Sequence, residues 1–410
     1  MIKVWTDAAE AGLLDRHGER GSTFAYLPDN EPRHAVSLTM PVRLPSWNIP
    51  FGLPPIFEMN LPEGILRERL RLAFAKATGT FDDFDLLSVV GRSQIGRIRY
   101  TGDKEQLHED VPFQSVDEIL ARRRGGELFR YLIEKFASFS GISGIQPKIL
   151  VRDEQAFAEM ERSPRLSQSY RGATHIVKFW EPNEYPQLAA NEHFCLTVAR
   201  RCGLEVPPYR IAEDGMALVI DRFDLRADGA YRGFEDFCAL NARRTDEKYR
   251  GSYETSILKR FQQFANSPYV NEDLEKLFTL IVLNCALRNG DAHLKDFAIL
   301  YDDVLGEARL APVYDLVTTS VYLAKDSMAL TLNGSTRWPS AKELRRLGET
   351  KLGSTPSRIK QILARIDEAM SETTAEVRAY IEEHPDFAEI GERMLQEWDK
   401  GSAFSLRPNI

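Results

Sequence analysis

Asn289-Gly-Asp-Ala-His-Leu-Lys-Asp-Phe-Ala-Ile-Leu-Tyr301 stands between two kinds of pattern, and the rest of the chain can be placed around it. Before it, over residues 273–288, apolar side chains recur at helical spacing: Leu274, Leu277, Phe278, Ile281, Val282 and Cys285. Asn289-Gly290 then breaks that pattern. Residues 297–301 form a short apolar run, and Asp302-Asp303 with Gly306 make a turn. Residues 308–313 read as a second strand, leading to Asp315. The order is helix, polar loop, strand, turn, strand, aspartate.

That order suits phosphoryl transfer, which asks for a carboxylate beside the attacking hydroxyl and oxygen ligands for magnesium near the phosphates. Asp291 can be the first; Asp296 and Asp315 can be the second. The interval from Asp291 to Asp296 equals the Asp-to-Asn interval of the protein-kinase catalytic loop. Lys295 supplies a cation at the mouth of the loop. Alone, the same residues would also serve as a solvated loop between a helix and a hairpin.

Composition narrows the class. The chain has 410 residues, 43% hydrophobic and 28% charged, which allows two or three domains. A net charge of −8 argues against a broad nucleic-acid surface, which needs clustered cations, although Arg122-Arg123-Arg124 is a local basic patch. No apolar run is long enough to span a bilayer and the N-terminus lacks a signal-peptide core, so the expectation is cytoplasmic, without a membrane partner. Cys195, Cys202, Cys238 and Cys285 form no CxxC pair and read as reduced, packed thiols. The seven histidines make no zinc-type array.

Along the chain, residues 2–5, 24–26 and 35–39 read as strands, and 41–55 as a Pro/Trp-rich ordered loop. Helices are expected at 61–77, 81–90, 115–124 and 127–136, with a strand at 95–100. Gly141 and Gly144 flank Ser143, and a strand begins at Lys148; glycines let backbone N–H groups approach phosphate oxygens. The polar, Ser/Arg-rich residues 152–174 should be an exposed connection to the strand His175–Phe179. Lys178 lies inside that apolar run and needs either an acid or a route to solvent. Glu192, on a helix over 188–202, is its expected partner, as in the strand-Lys, helix-Glu pair of kinases. A hairpin over 207–211 and 216–220 leads into Asp221-Arg-Phe-Asp224, where adenine would sit in a two-lobed kinase. Helices are expected again at 234–241, 253–265, 341–347 and 357–381, and a hairpin-like turn at 327–332.

Glycine loop, strand lysine, catalytic-loop aspartate and metal aspartate thus stand in kinase order. Their surroundings resemble the HipA family of serine/threonine kinase toxins: Ser143-Gly-Ile-Gln-Pro-Lys148, His175-Ile-Val-Lys178, Asn191-Glu192, Asp221-Arg-Phe223, Glu235-Asp-Phe-Cys238, Asn289-Gly-Asp-Ala-His-Leu-Lys295 and Ala311-Pro-Val-Tyr-Asp315. The N-terminal part resembles the family's small subdomain in Ala35-Val-Ser-Leu-Thr-Met-Pro41 and Phe57-Glu-Met-Asn-Leu-Pro-Glu63. The resemblance implies an α+β, bilobal protein-kinase-like fold with a small N-terminal α/β subdomain (1–110), a kinase-like N-lobe (111–224) and a mainly helical C-lobe (225–410).

By the same resemblance, Asp291 is the catalytic base, with Lys295 beside it, and Asp315 with Asp296 holds Mg2+. Ser143, Gly144, Gln146, Lys148, Lys178, Glu192, Asp221 and Phe223 surround ATP. The substrate implied is a serine of a translation component, typically an aminoacyl-tRNA synthetase. The partner implied is a helix-turn-helix antitoxin that binds DNA, so that DNA is met only through it. This sequence departs from the family in two places. Asp296 replaces the usual Asn, which keeps an oxygen ligand but adds charge. The usual first serine of the loop falls on Gly141, which leaves Ser143 as the candidate for self-phosphorylation. Other readings are a metabolic kinase acting on a small molecule, with the same site residues, and a non-catalytic nucleotide-binding regulator, against which the intact Asp291, Asp315 and Lys178 set argues.

Overall fold

The computed structural model describes residues 1–7, 9–18, 20–78, 81–121, 125–153, 170–180 and 184–407. Arg122-Arg123-Arg124 and residues 154–169 of the expected connection lie outside them. In chain order the strands are β1 (Ile2–Thr6), β2 (Ala9–His17), β3 (Gly21–Tyr26), β4 (Trp47–Ile49), β5 (Ile98–Gly102), β6 (Lys148–Val151), β7 (His175–Phe179), β8 (Tyr209–Ile211), β9 (Ala217–Asp221), β10 (Gly233–Asp236), β11 (Ala298–Tyr301) and β12 (Ala308–Leu310). The helices are α1 (Pro55–Glu58), α2 (Gly64–Thr78), α3 (Asp83–Val90), α4 (Val116–Ala121), α5 (Gly125–Phe136), α6 (Leu188–Arg201), α7 (Phe237–Leu240), α8 (Lys259–Phe264), α9 (Val270–Ala286), α10 (Ala341–Leu347), α11 (Pro356–Glu383) and α12 (Ala388–Gly401). Residues 1–179, 212–245 and 300–308 form one compact unit; residues 180–211, 246–299 and 309–410 form a second.

The first unit begins with a five-stranded sheet in the order β4-β3-β2-β1-β5. Its pairings are antiparallel, with Val4 opposite both Gly12 and Tyr100. Val4, Leu14, Phe24 and Tyr100 are fully buried on it. Tyr26, Phe24, Phe57 and Tyr100 follow one another edge to face at 4.7, 5.1 and 5.5 Å between centroids, a geometry that adds to the gain from burial. The same unit contains the antiparallel trio β6-β7-β9. Its strands are buried almost throughout, which explains their near-continuous apolar runs.

The second unit is mainly helical. Phe194 of α6 and Tyr380 of α11 pack with Phe387 just before α12. Thr355 caps α11 and Pro356 occupies its first turn, where a missing N–H costs nothing. A Cβ at Gly401 would overlap the carbonyl oxygen of Ala286, so glycine is what lets α12 end against α9. Arg309 of β12 grips Asp273 of α9 with two hydrogen bonds, 2.6 and 2.8 Å. That fork sets the chain leading to Asp315 beside the helix leading to Asp291.

Several elements differ from the sequence expectation. The alternating residues 35–39 are not a strand: Ser37 Oγ and Leu38 N–H donate to the buried carboxylate of Glu235, at 2.6 and 2.7 Å, in place of a ladder. Residues 234–241 divide into β10 and α7, because Asp236 caps the helix by accepting from Ala239 N–H at 2.8 Å. Residues 9–17 are a strand although they do not alternate, since β2 is paired on both sides. Residues 327–332 make only isolated bridges, of Thr331 to Ser252 and Leu332 to Ser335. The helix α12 had no reading from sequence.

Candidate active site

The loop after α9 is built by backbone capture. Arg288 turns the chain with a φ of +58°. Asn289 N–H then donates to Asn284 O, its amide donates to Asn284 Oδ1 at 2.7 Å, and its Oδ1 accepts Asp291 N–H at 3.2 Å. Gly290 N–H donates to Thr319 Oγ1 at 2.6 Å, and Thr319 donates onward to Asp326 at 2.6 Å. A Cβ at Gly290 would overlap Asp326, so only glycine fits there. Tyr253 OH donates to Ala292 O at 2.8 Å, and Leu294 N–H to Lys248 O at 3.1 Å. This leaves the Asp291 carboxylate at the surface on a loop pinned at nearly every residue. Tyr249 OH donates to it, with 2.8 Å to Oδ1.

Asp296 faces inward. Its Oδ2 accepts the backbone N–H of His293 at 2.9 Å and lies 2.9 Å from His293 Nδ1. Burial pushes the Asp296 carboxyl up; Asp291 and Asp315 push it further, against the pull of His293. For His293, burial favours the neutral ring, but the aspartates outweigh it, Asp296 foremost, and the net direction is upward. Asp315 holds a φ of +51°, a region that aspartate enters more readily than most residues. The preceding Tyr314 donates its hydroxyl to Lys295 O at 2.7 Å, which ties the two segments together. Lys295 is buried.

A buried carboxyl pushed upward by two neighbouring aspartates fits a divalent cation. Among the described residues no group of three or more His, Cys, Asp or Glu side chains closes on a metal. Magnesium does not require one, because it takes one or two carboxylates and completes its shell with water and substrate phosphates. Asp296 and Asp315 fit that requirement.

In the first unit, residues 141–148 link α5 to β6. Gly141 N–H donates to Ser93 O at 2.8 Å and its carbonyl accepts Ile95 N–H at 3.1 Å. Gly144 has a φ of +124°, and a Cβ there would collide with Lys148 Nζ. Gln146 is half-buried and donates to Phe179 O at 3.1 Å, which fastens the loop to the end of β7. Ser143 Oγ and Gly144 N–H both donate to Glu63 Oε1.

Lys148 and Lys178 stand directly opposite each other on β6 and β7, both buried. Residues directly opposite in a ladder project to the same side, so both lysines lie on one face of the sheet. At the other end of β7, His175 Nε2 is 3.5 Å from Asp221 Oδ1. Arg222 and Asp224 form a fully buried, two-pronged pair at 2.9 and 2.6 Å, and Asp224 also accepts Gly96 N–H at 2.6 Å. That pair fixes the backbone around Phe223, whose ring meets Phe234 at 5.8 Å.

The structure therefore gathers Asp291, Lys295, Asp296 and Asp315 in the second unit, where Glu192 is buried on α6. Ser143, Gly144, Gln146, Lys148, Lys178, Asp221 and Phe223 all lie in the first, Asp221 at the far end of β7 from Lys178. Sequence reading had not given site roles to Glu63, Tyr249, His293, Thr319 or Asp326. Only His293 had a local signal, lying three residues before Asp296.

The family model described as HipA N-terminal domain matches residues 2–101, and that described as HipA-like C-terminal domain matches residues 140–374. "Putative kinase Y4mE" of Sinorhizobium fredii (strain NBRC 101917 / NGR234) is 29% identical over 78% of this chain and 78% of its own. "Putative kinase Y4dM" of the same strain is 27% identical over 75% and 74%. The fold is that of a chain in the Shewanella oneidensis MR-1 toxin–antitoxin complex of HipA, HipB and operator DNA, with a TM-score of 0.67 at 19% identity, covering 99% of this chain and 98% of that one.

Proposed function

The chain belongs to the HipA family, and from that premise we propose that it is an ATP- and magnesium-dependent serine/threonine protein kinase, the toxin of a toxin–antitoxin pair. The observation that carries this reading is the loop that presents the Asp291 carboxylate at the surface, held through Asn289, Gly290, Ala292 and Leu294, with Asp296 turned inward five residues on. Asp291 orients the acceptor hydroxyl and takes its proton. Asp296 and Asp315 would hold magnesium, which when bound neutralises charge on the transferring phosphates. Lys178 and Lys148 would meet the nucleotide phosphates; Ser143, Gly144 and Gln146 would line them; Asp221 and Phe223 would border the base. Lys295 offsets negative charge at the mouth of the loop.

The acceptor proposed is a serine of a translation component such as an aminoacyl-tRNA synthetase. Ser143 is proposed as a self-phosphorylation site. The Shewanella neighbour was solved with HipB and operator DNA. A helix-turn-helix antitoxin is accordingly the proposed partner here, with DNA met through it. The test is transfer of labelled γ-phosphate from ATP and magnesium by the whole chain and by Asp291→Gln. A loss of about two orders of magnitude with nucleotide binding retained is expected; full turnover by the folded variant overturns the assignment.

A further inference from the structure

Tyr249 lies forty-two positions before Asp291 in sequence, yet its hydroxyl donates to that carboxylate at 2.8 Å. The segment carrying it is fixed on both sides. Lys248 is buried and its carbonyl accepts Leu294 N–H at 3.1 Å. Gly251 O accepts Thr331 N–H at 3.1 Å, and Tyr253 N–H donates to Thr331 O at 3.0 Å. Between these anchors the Tyr249 side chain reaches outward. It is 46% exposed, with one ring edge against His293 at 5.1 Å between centroids. The backbone is held, while nearly half of the side chain faces solvent.

We infer that Tyr249 occupies the acceptor-hydroxyl position and excludes water from it, making it a specificity-determining residue for the proposed reaction. A phenol O–H on the carboxylate has the same chemistry as a serine O–H awaiting proton abstraction. Water must displace a tethered donor with nothing in exchange but an equivalent hydrogen bond, and tethering gives the phenol the advantage. A protein acceptor brings binding energy from its other contacts, and that energy moves the phenol aside. With the phenol gone, water donates its proton to Asp291 and its oxygen attacks the γ-phosphorus. The bond to the β-bridging oxygen breaks, and ADP and inorganic phosphate leave.

This inference rests on the kinase reading, and the two can fail separately. The experiment follows phosphate release from ATP and magnesium, without any acceptor, by the whole chain, Tyr249→Phe, Asp291→Gln and the double variant. Thermal melts establish folding, and a fluorescent ATP analogue reports nucleotide affinity. Tyr249→Phe should release phosphate roughly tenfold faster than the parent, the effect expected from one charge-assisted hydrogen bond. Affinity should stay within about twofold, and the double variant should fall to the level of Asp291→Gln. An unchanged or lower rate in folded Tyr249→Phe, with release by the parent still dependent on Asp291, overturns the inference alone. Release indifferent to Asp291 overturns the kinase reading and the inference with it.

Discussion

Ser143 donates its hydroxyl proton to Glu63 Oε1 at 2.8 Å, and Gly144 N–H meets the same oxygen at 3.1 Å. Glu63 immediately precedes Gly64, which starts α2 with a φ of +54° and would crowd Ile145 O if it carried a Cβ. One carboxylate oxygen thus holds the two groups on which a phosphate cradle would draw. If phosphates lie there, the Glu63 charge works against them. Glu63→Gln should tighten ATP binding severalfold in a calorimetric titration at constant magnesium. An unchanged affinity would place the phosphates elsewhere.

The same contact bears on Ser143. A phosphoserine carries about −1.5 to −2 charges at neutral pH, which here would face a carboxylate across one hydrogen bond. The loop should leave Glu63, and ATP affinity should fall. Intact-mass analysis after incubation with ATP, followed by peptide mapping, is expected to find phosphate on Ser143. An active enzyme without it, or undiminished affinity in a fully phosphorylated sample, would refute the switch.

Asp296 gives a graded test. Asp296→Asn keeps an oxygen for the metal and for His293 N–H, so it should retain substantial transfer with a shifted magnesium or manganese optimum. Asp296→Ala removes both, and transfer should drop by about two orders of magnitude. Equal activity of the Ala variant and the parent across metal concentrations would reduce Asp296 to a structural partner of His293.

How far these features could be read from sequence depends on where their contacts come from. The loop that carries Asp291 is legible because a helical period stops at Asn289-Gly290, and the strand His175–Phe179 and helix Ala341–Leu347 fall where their patterns put them. Residues 35–39 misled because Glu235, 197 and 198 positions away, takes their hydrogen bonds. Glu63 and Tyr249 were invisible for the same reason: they meet Ser143 and Asp291 across 80 and 42 positions. Periodicity reports neighbours one turn or one pleat away, whereas the contacts of Glu63 and Tyr249 span far more of the chain.

His193 offers a test of stability away from the site. It sits on α6 with its ring edge-on to Tyr209 at 5.3 Å, and among the described residues its buried Nδ1 finds no hydrogen-bond partner. Burial lowers its affinity for protons from the ordinary 6.5 to about 4, against a smaller upward pull from Glu376. The folded chain therefore binds fewer protons than the unfolded chain between these values. The sign follows from linkage: stability rises with pH wherever the unfolded state holds more protons. His193 contributes its full share above about 6.5 and loses it as the pH falls toward 4. His193→Phe keeps an aromatic ring against Tyr209 and removes the titration. Denaturant midpoints of parent and variant should run parallel above neutrality. They should diverge below it, with the parent losing stability more steeply, by up to one proton's worth of slope. Parallel curves down to pH 4 would mean that the folded ring accepts its proton as readily as the unfolded one.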